Sequence, residues 1–559
     1  MGSCCGTCVM RQLGNVSIPR AGLIGCAHAL DRWALYAVCH VSFFQEIDVL
    51  YSKTLMLLTL GAVAHVAWAL ESPIVGPRAL GMGGVGVACS DDYVAQFYNP
   101  AAFGFFAAGE ANGERSASDN NNLQRKDWGM GIDATVGVHL VGNLGTYLND
   151  VLQIDVNKLQ AIGQTGNVDT ATLTNLTKVL AALSSFDADA DAVIVDFNAG
   201  FGLRIGHFGL GVRSFGQAVG KLEDFDRTHI GITLPAGQSV AAQINNVSVP
   251  VNTTPGTYNP TKLNATQQAT LLGILINNGQ VSAATAQQAV NKLDYSLAEA
   301  GINANDIDGV IAQMAQLVQS SAVGNLKFGT NDSKLRMIGL GVVEIPVTYG
   351  YAFDEHWSIG GSLKYMMGRV YGLDIPLFNT NGDDLSQSFS NSRNNYQQSS
   401  NMGIDLSVMT RFPMVQVGLT GRNLNGPSFK GPTVNGVQFA TQYIKPSATA
   451  GIAFIPFTTV TLAADMDLTR SDSVLKSRNY QRIAGGFEWD AFRFLALRAG
   501  ISKNLAISTD PTLYSGGVGL NLWLLRIDLA AQATTETVTY DGKDYPKEAR
   551  ASFAVATDW

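Results

Sequence analysis

The sequence predicts an all-β transmembrane barrel of about fourteen antiparallel strands, with helices inserted in its long external loops. Three observations predict it. Charged residues make up 15% of the 559 and glycine supplies 59, against ~25% charge in an ordinary soluble protein. No run reaches the ~20 apolar residues of a membrane helix. Segments of alternating apolar and polar residues recur to the C-terminus, and the connections between them alternate short and long without losing phase. A wall one strand thick with lipid outside and water inside requires that alternation, and outer-membrane barrels pair short periplasmic turns with longer external loops.

The elements follow in chain order. Cys4, Cys5, Cys8, Cys26 and Cys39 crowd the start, leaving Cys89 alone afterwards. Their spacing fits no zinc template, so residues 1–52 read as an extension from a misassigned start codon, the competing reading being a genuine cytosolic or anchoring extension. Residues 53–69 read as a secretory leader. Lys53 gives it charge, Leu55 to Ala64 give an apolar run, and Ala67-Trp68-Ala69 gives a small-x-small cleavage site. Cleavage there makes Leu70 the mature start. Residues 70–127 hold Gly81, Gly83, Gly84 and Gly86, then Asn99-Pro100-Ala101, and no clear strand. Gly81-x-Gly83-x-x-Gly86 matches a dinucleotide fingerprint in form only. Pro77 interrupts the run before it and Asp91 and Asp92 come too early for the ribose acid. The glycines read instead as places for tight backbone turns.

Residues 128–559 carry the strands, expected near Trp128–Val138, Val195–Ile205, Phe208–Gly216, Arg336–Phe353, Trp357–Tyr371, Met402–Phe412, Met414–Asn423, Ser447–Phe454, Thr458–Thr469, Arg482–Trp489, Phe494–Ser502, Tyr514–Leu522, Leu525–Thr534 and Arg550–Trp559. In the ninth, Val460, Leu462, Ala464, Met466 and Leu468 oppose Thr461, Ala463, Asp465, Asp467 and Thr469. Asp465, Asp467, Arg422, Arg498, Arg526 and Asp528 fall on inward faces as lumen charges. The last strand places Ala551, Phe553, Val555, Thr557 and Trp559 on one face and ends on an aromatic ring. Phe553, Val555 and Trp559 are therefore the expected signal to the barrel-assembly machinery. Loops 139–194 and 217–335 are too long to lack structure. Both carry apolar residues at helical spacing, which makes them either functional caps or packing on the rim.

Function classes narrow accordingly. The net charge of −8 offers no basic patch for nucleic acid. Isolated histidines, no nucleophile elbow and no triad leave no enzyme, metal or cofactor to expect, and lipid is the expected surroundings. Phe97, Tyr98, Phe103, Phe105 and Phe106 are candidate apolar contacts for a solute, or else pack the segment against the wall.

Two resemblances add to this reading. Arg78-Ala79-Leu80-Gly81-Met82-Gly83-Gly84-Val85, Asp91-Asp92 and Tyr98-Asn99-Pro100-Ala101 resemble the N-terminal region of FadL-like barrels. There the region plugs the lumen, and a kink or displaced hatch opens a route for hydrophobic solutes. Trp357-Ser358-Ile359-Gly360, Gly421-Arg422-Asn423-Leu424, Ile444-Lys445-Pro446, Asp465-Met466-Asp467-Leu468-Thr469, Leu497-Arg498-Ala499-Gly500 and Asp528-Leu529-Ala530-Ala531-Gln532 are similar to the conjugal-transfer TraF-like barrels. Together the resemblances imply an outer-membrane channel for small hydrophobic molecules, with Gly81–Gly86 and Asn99-Pro100 as the moving parts. The alternative they imply is an anchor for a conjugation or secretion apparatus. The end in Trp rather than Phe and the long 217–335 loop depart from the usual pattern.

Overall fold

In a computed structural model, the structure describes residues 73–106, 128–142, 169–185, 191–223, 226, 229, 239–278, 281–321, 333–376, 394–474, 478–492, 494–522, 525–540 and 543–558. Residues 1–52, the leader at 53–69, Leu70 and Trp559 lie outside the described residues.

Fourteen antiparallel strands close into one barrel, each pairing with its neighbour in sequence and the last with the first. They are β1 (Trp128–Val141), β2 (Ala192–Ile205), β3 (Phe208–Glu223), β4 (Lys334–Ala352), β5 (Trp357–Pro376), β6 (Tyr396–Arg411), β7 (Val415–Arg422), β8 (Ser447–Phe457), β9 (Val460–Asp467), β10 (Arg482–Ala491), β11 (Leu495–Asn504), β12 (Leu513–Leu522), β13 (Leu525–Thr534) and β14 (Glu548–Asp558). Closure leaves no strand edge unpaired. The seam is a continuous ladder from Gly129↔Asp558 to His139↔Glu548. Phe553 and Val555 sit in it opposite Ala134 and Ile132.

The two faces of the wall differ as the alternation predicts. In β1, Trp128, Met130, Ile132 and Val136 are exposed on the outside, while Asp133, Thr135 and His139 are buried inside. Aromatic rings ring the short-turn end of the exterior: Trp128, Phe208, Tyr351, Phe353, Trp357, Phe412, Trp489 and Phe494 are all exposed. An apolar exterior with an aromatic border is the surface of a wall that meets lipid at its interface with water. Among the described residues no helix is long and apolar enough to cross a membrane.

At the long-loop end the strands outrun the alternation. β3 continues to Glu223 and β5 to Pro376, past the predicted ends at Gly216 and Tyr371. Phe215 to Val219 are buried on both faces of β3. Outside the lipid boundary nothing requires one face to be apolar and the other polar, so the period-two pattern stops before the strand does.

The two long loops cooperate. Loop β1–β2 supplies α3 (Thr170–Ser185). Loop β3–β4 supplies α4 (Val240–Asn246), α5 (Ala265–Asn277), α6 (Ala283–Glu299) and α7 (Ile307–Ser321), where α1 and α2 denote two short helices of the N-terminal segment, Pro77–Gly81 and Ala95–Tyr98. Leu176 and Leu180 of α3 share one core with Ile244, Leu275, Leu293 and Leu317. The helices therefore make a small domain of their own. Neither loop could bury its apolar stripe without the other. The shorter outer loops carry β-ribbons at Ser428–Tyr443, Ser471–Tyr480 and Thr537–Pro546.

Candidate functional site

Residues 73–106 occupy the lumen and reach every strand. Tyr93 donates to Asp133 on β1, Asn198 of β2 donates to the Ile74 carbonyl, and Ala101 N donates to Ser407 on β6. Gly86 and Val87 donate their backbone N–H groups to Asp465 Oδ2 on β9, at 2.7 and 2.9 Å. Elsewhere the wall meets the plug through inward glycines. A Cβ on Gly209, Gly350, Gly360, Gly418, Gly451, Gly486, Gly500 or Gly517 would run into plug atoms. Ala554 and Ala556 of β14 complete the circuit. This close approach explains much of the glycine content. Within the plug, Gly83 and Gly84 take φ of 80° and 99°, which side chains disfavour. Gly81 and Gly86 are needed for room instead, against Gly517 and the Tyr98 ring.

Three plug charges enter an alternating chain with four wall charges. Asp91 pairs with Arg78 at 2.6 Å, Arg78 with Glu488 at 2.6 Å, Glu488 with Arg498 at 2.6 Å, and Arg498 with Asp528 at 2.6 Å. Asp528 pairs with Arg526 at 2.9 Å, and Arg526 pairs with Asp92. The chain thus starts and ends on adjacent plug residues. Neutralised in this way, charges can remain buried. Burial pushes the Asp91 carboxyl up, opposed by Arg78. For Asp92 burial pushes up too, but Arg526 and Arg78 prevail and hold it low. Desolvation drives the Cys89 thiol well above its ordinary range, so the thiolate is suppressed while the plug is seated. Desolvation also pushes the Tyr98 hydroxyl up to about 12; that hydroxyl accepts from Val75 N at 2.8 Å.

The aromatic candidates each find a wall partner. Arg213 lies 4.1 Å over Phe97, Arg422 5.5 Å over Tyr98, Arg411 4.1 Å over Phe105 and Arg204 4.3 Å over Phe106. Each is a cation on a ring face in a desolvated place. Phe103 fills the space beside Gly209, and its carbonyl meets His207 Nδ1 at 3.1 Å. His207, in the turn between β2 and β3, thus holds the end of the plug. Asn99-Pro100-Ala101 begins a 3-10 helix, Pro100–Phe105, that Asn99 caps by accepting from Ala101 N. Asn99 Nδ2 also donates to the Val87 carbonyl at 2.8 Å.

All six predicted lumen charges face inward. Arg422 donates to the Tyr98 carbonyl. Asp467 accepts from Thr449 and from Arg482 N. Arg498, Arg526 and Asp528 join the alternating chain, and Asp465 grips the plug backbone. Sequence reasoning missed Glu488, which links plug to wall. It also missed the buried groups Arg213–Asp133 and Lys364–Asp405–Glu344.

It missed above all a second surface. In the outer half of the lumen the inward side chains of β2 to β5 turn apolar. Ile194, Phe215, Leu340, Val342, Met366 and Val370 form one buried cluster with Phe429, Ile444 and Val474 from the outer loops. Between this cluster and the plug lies a small cavity of about 40 Å³, bordered by Phe97, Phe215, Pro346, Arg422 and Ile444. It has room for a few waters and none for a ring-sized solute.

The profile of the family described as "F plasmid transfer operon, TraF, protein" matches residues 96–467, more than half of the chain. The protein belongs to the TraF family of the F plasmid transfer operon. None of the curated proteins matches it. The solved structures to which this TraF-family chain is similar include the Ralstonia pickettii toluene transporter TbuX, at 12% identity and TM-score 0.40, covering 87% of this chain and 98% of that one. The P. putida toluene transporter TodX stands at 11% and 0.40, covering 88% and 99%. A Pseudomonas aeruginosa FadL homologue stands at 10% and 0.39, covering 88% and 100%. Of the two resemblances read from the sequence, the family profile shows TraF.

Proposed function

We propose that this protein is a non-enzymatic outer-membrane channel for passive entry of small hydrophobic molecules. The observation that carries the reading is the apolar patch on the inner wall above the plug. Inward Leu340, Val342, Met366 and Val370 are covered by Phe429, Ile444 and Val474 of the outer loops, and a lumen built only for water and ions has no use for an apolar wall beneath such a cover. A solute leaving water gains by settling there. The plug then stands between the chamber and the short-turn side. It is held by ion pairs and hydrogen bonds, contacts that water can replace when the plug shifts, together with apolar packing on wall alanines. The similar structures with toluene transporter in their names agree with this reading but do not supply it.

The test is flux into proteoliposomes loaded with a fluorescent hydrophobic reporter. Passage through the native barrel, raised when Glu488→Gln loosens the plug, is the expected result. A barrel that passes no hydrophobic solute, with or without residues 73–106, would overturn the channel reading.

The helical domain favours a second reading. Its core joins two loops into one body outside the wall, and the family takes its description from a transfer operon. As an anchor for a conjugation or secretion apparatus, the protein would lose transfer when 239–321 is deleted while permeability stays normal.

A further inference from the structure

We infer that the ring of Phe429 occupies a ligand site of the outer chamber, and that loop 423–446 is a lid carrying its own stand-in for the ligand. The inference rests on the channel reading above and names the site and the size class of the solute. Phe429 is 0% exposed although it belongs to an external loop. Its ring lies on β5 over Gly368, where a Cβ would come within 2.6 Å of Phe429 Cγ. Around it stand Phe215, Leu340, Val342, Met366 and Val370. One turn of the wall further out, Phe439 of the same loop lies over Gly372, where a Cβ would meet its ring at 2.8 Å. Both inward positions on β5 that face a lid ring are therefore glycine.

The lid is built to hold that shape. Asn435 and Gly436 take φ of 51° and 80°, a two-residue turn of the kind that closes tight hairpins. Val434 pairs with Val437 across it, and Phe429 with Gln442 behind it. At the hairpin its polar bonds to the wall are two: Lys430 N donates to Ser399 Oγ at 3.2 Å, and Asn401 donates to the Ser428 carbonyl. The denser bonding, through Asn423, Leu424 and Asn425 to β6, is at its base, and Arg336 lies 5.4 Å over Phe439. Outside, Lys430, Thr433, Gln438 and Tyr443 face solvent. A preformed hairpin that is bonded to the wall mainly at its base can lift as a unit about that base. Lifting uncovers an apolar socket the size of one six-membered ring. The ligand class is a compact uncharged molecule with one such ring or its bulk, competing with Phe429 for the socket.

The experiment measures toluene binding, by headspace gas chromatography over the detergent-solubilised full chain against a detergent blank. Phe429→Ala removes the competitor, and toluene should then bind about tenfold more tightly than to the wild type if the lid is shut some nine-tenths of the time. Adding Gly368→Leu, which fills the socket from β5, should abolish the gain. Phe429→Leu serves if the alanine variant does not fold and should show a smaller gain. Equal binding by wild type and both Phe429 variants would overturn the inference, as would a gain that survives Gly368→Leu. Proteoliposome flux separates the two readings: a barrel that passes the reporter but shows no gain at Phe429 keeps the channel and loses the lid site.

Discussion

Arg78 and Glu488 meet inside the barrel 410 residues apart in the chain, with three bonds from the guanidinium to the carboxylate. Removing Glu488 takes the carboxylate from between Arg78 and Arg498, which are left with Asp91 and Asp528 alone. Breaking a lone buried pair costs about 3–5 kcal/mol, which is an upper bound here. Glu488→Gln is therefore expected to unseat the plug rather than unfold the barrel. Cys89 is the reporter: it is buried in the plug, and the other five cysteines all precede residue 40. Maleimide labelling of Cys89 should be slow in the wild type and about tenfold or more faster in Glu488→Gln, a ratio that corresponds to a shift of ~1.4 kcal/mol in plug opening. Unchanged labelling would mean that the plug is held by its packing alone. Acid should act through Asp92. Its carboxyl is held below the ordinary value by Arg526 and Arg78 against desolvation, so its contribution is present at neutral pH and is lost as pH falls through that lowered value. Asp91 runs the other way, since burial raises it, and it favours the seated plug more as it protonates. Cys89 exposure should accordingly fall from neutral pH toward the ordinary carboxylate range, as Asp91 protonates, and rise below it, as Asp92 does. Arg526→Ala should weaken that acid step, leaving the share due to Arg78.

At the scale of elements, the strands were legible and two of the loops were not. Alternation marks Thr461, Ala463 and Asp465 as one face because lipid and water stand on opposite sides of β9. It marks nothing in Leu340, Val342 and Val343, where both faces of β4 are apolar, and so the chamber wall went unread. The lid had a signal that went unused. Asn435-Gly436 between Val434 and Val437 is a hairpin turn by sequence alone. The helices of 139–194 and 217–335 were visible by their spacing, but not their union, because a shared core between loops far apart in the chain leaves no local trace. That union is testable. Leu180 is fully buried on α3 and packs against helices from the other loop. Leu180→Ala should cost the helical domain about 2–5 kcal/mol. Circular dichroism should show an earlier loss of helix on heating, while the barrel keeps its shifted mobility in unboiled gels. Simultaneous loss of both signals would mean that the loops fold with the wall.

For the molecule as a whole, the candidate site divides by what local pattern can carry. The plug glycines, Asn99-Pro100-Ala101 and the lumen charges were found from the sequence, and the structure sets them between plug and wall. Their partners were not found, because Arg78 to Glu488 or Phe97 to Arg213 is a relation between positions that closure of the barrel creates. The aromatic candidates show the same limit. Composition marks Phe105 and Phe106 as apolar surface, and only the fold reveals Arg411 and Arg204 lying over them. A prediction belongs to this scale too. Gly500 lies on β11 against the backbone of Met82 and Gly83, so Gly500→Val has nowhere to place its side chain while the plug is in. The barrel should still form, with Cys89 labelled quickly and reporter flux raised. Normal labelling would show that the wall bulges to accept it.

The contact of one short segment with all fourteen strands has a consequence for how the protein is made. The pairing of β14 with β1 closes on a circumference that residues 73–106 fill, so segment and cylinder must match in size. A hairpin gained or lost would leave the core piece loose or the seam open. The number of staves and the shape of the stopper are therefore inherited together.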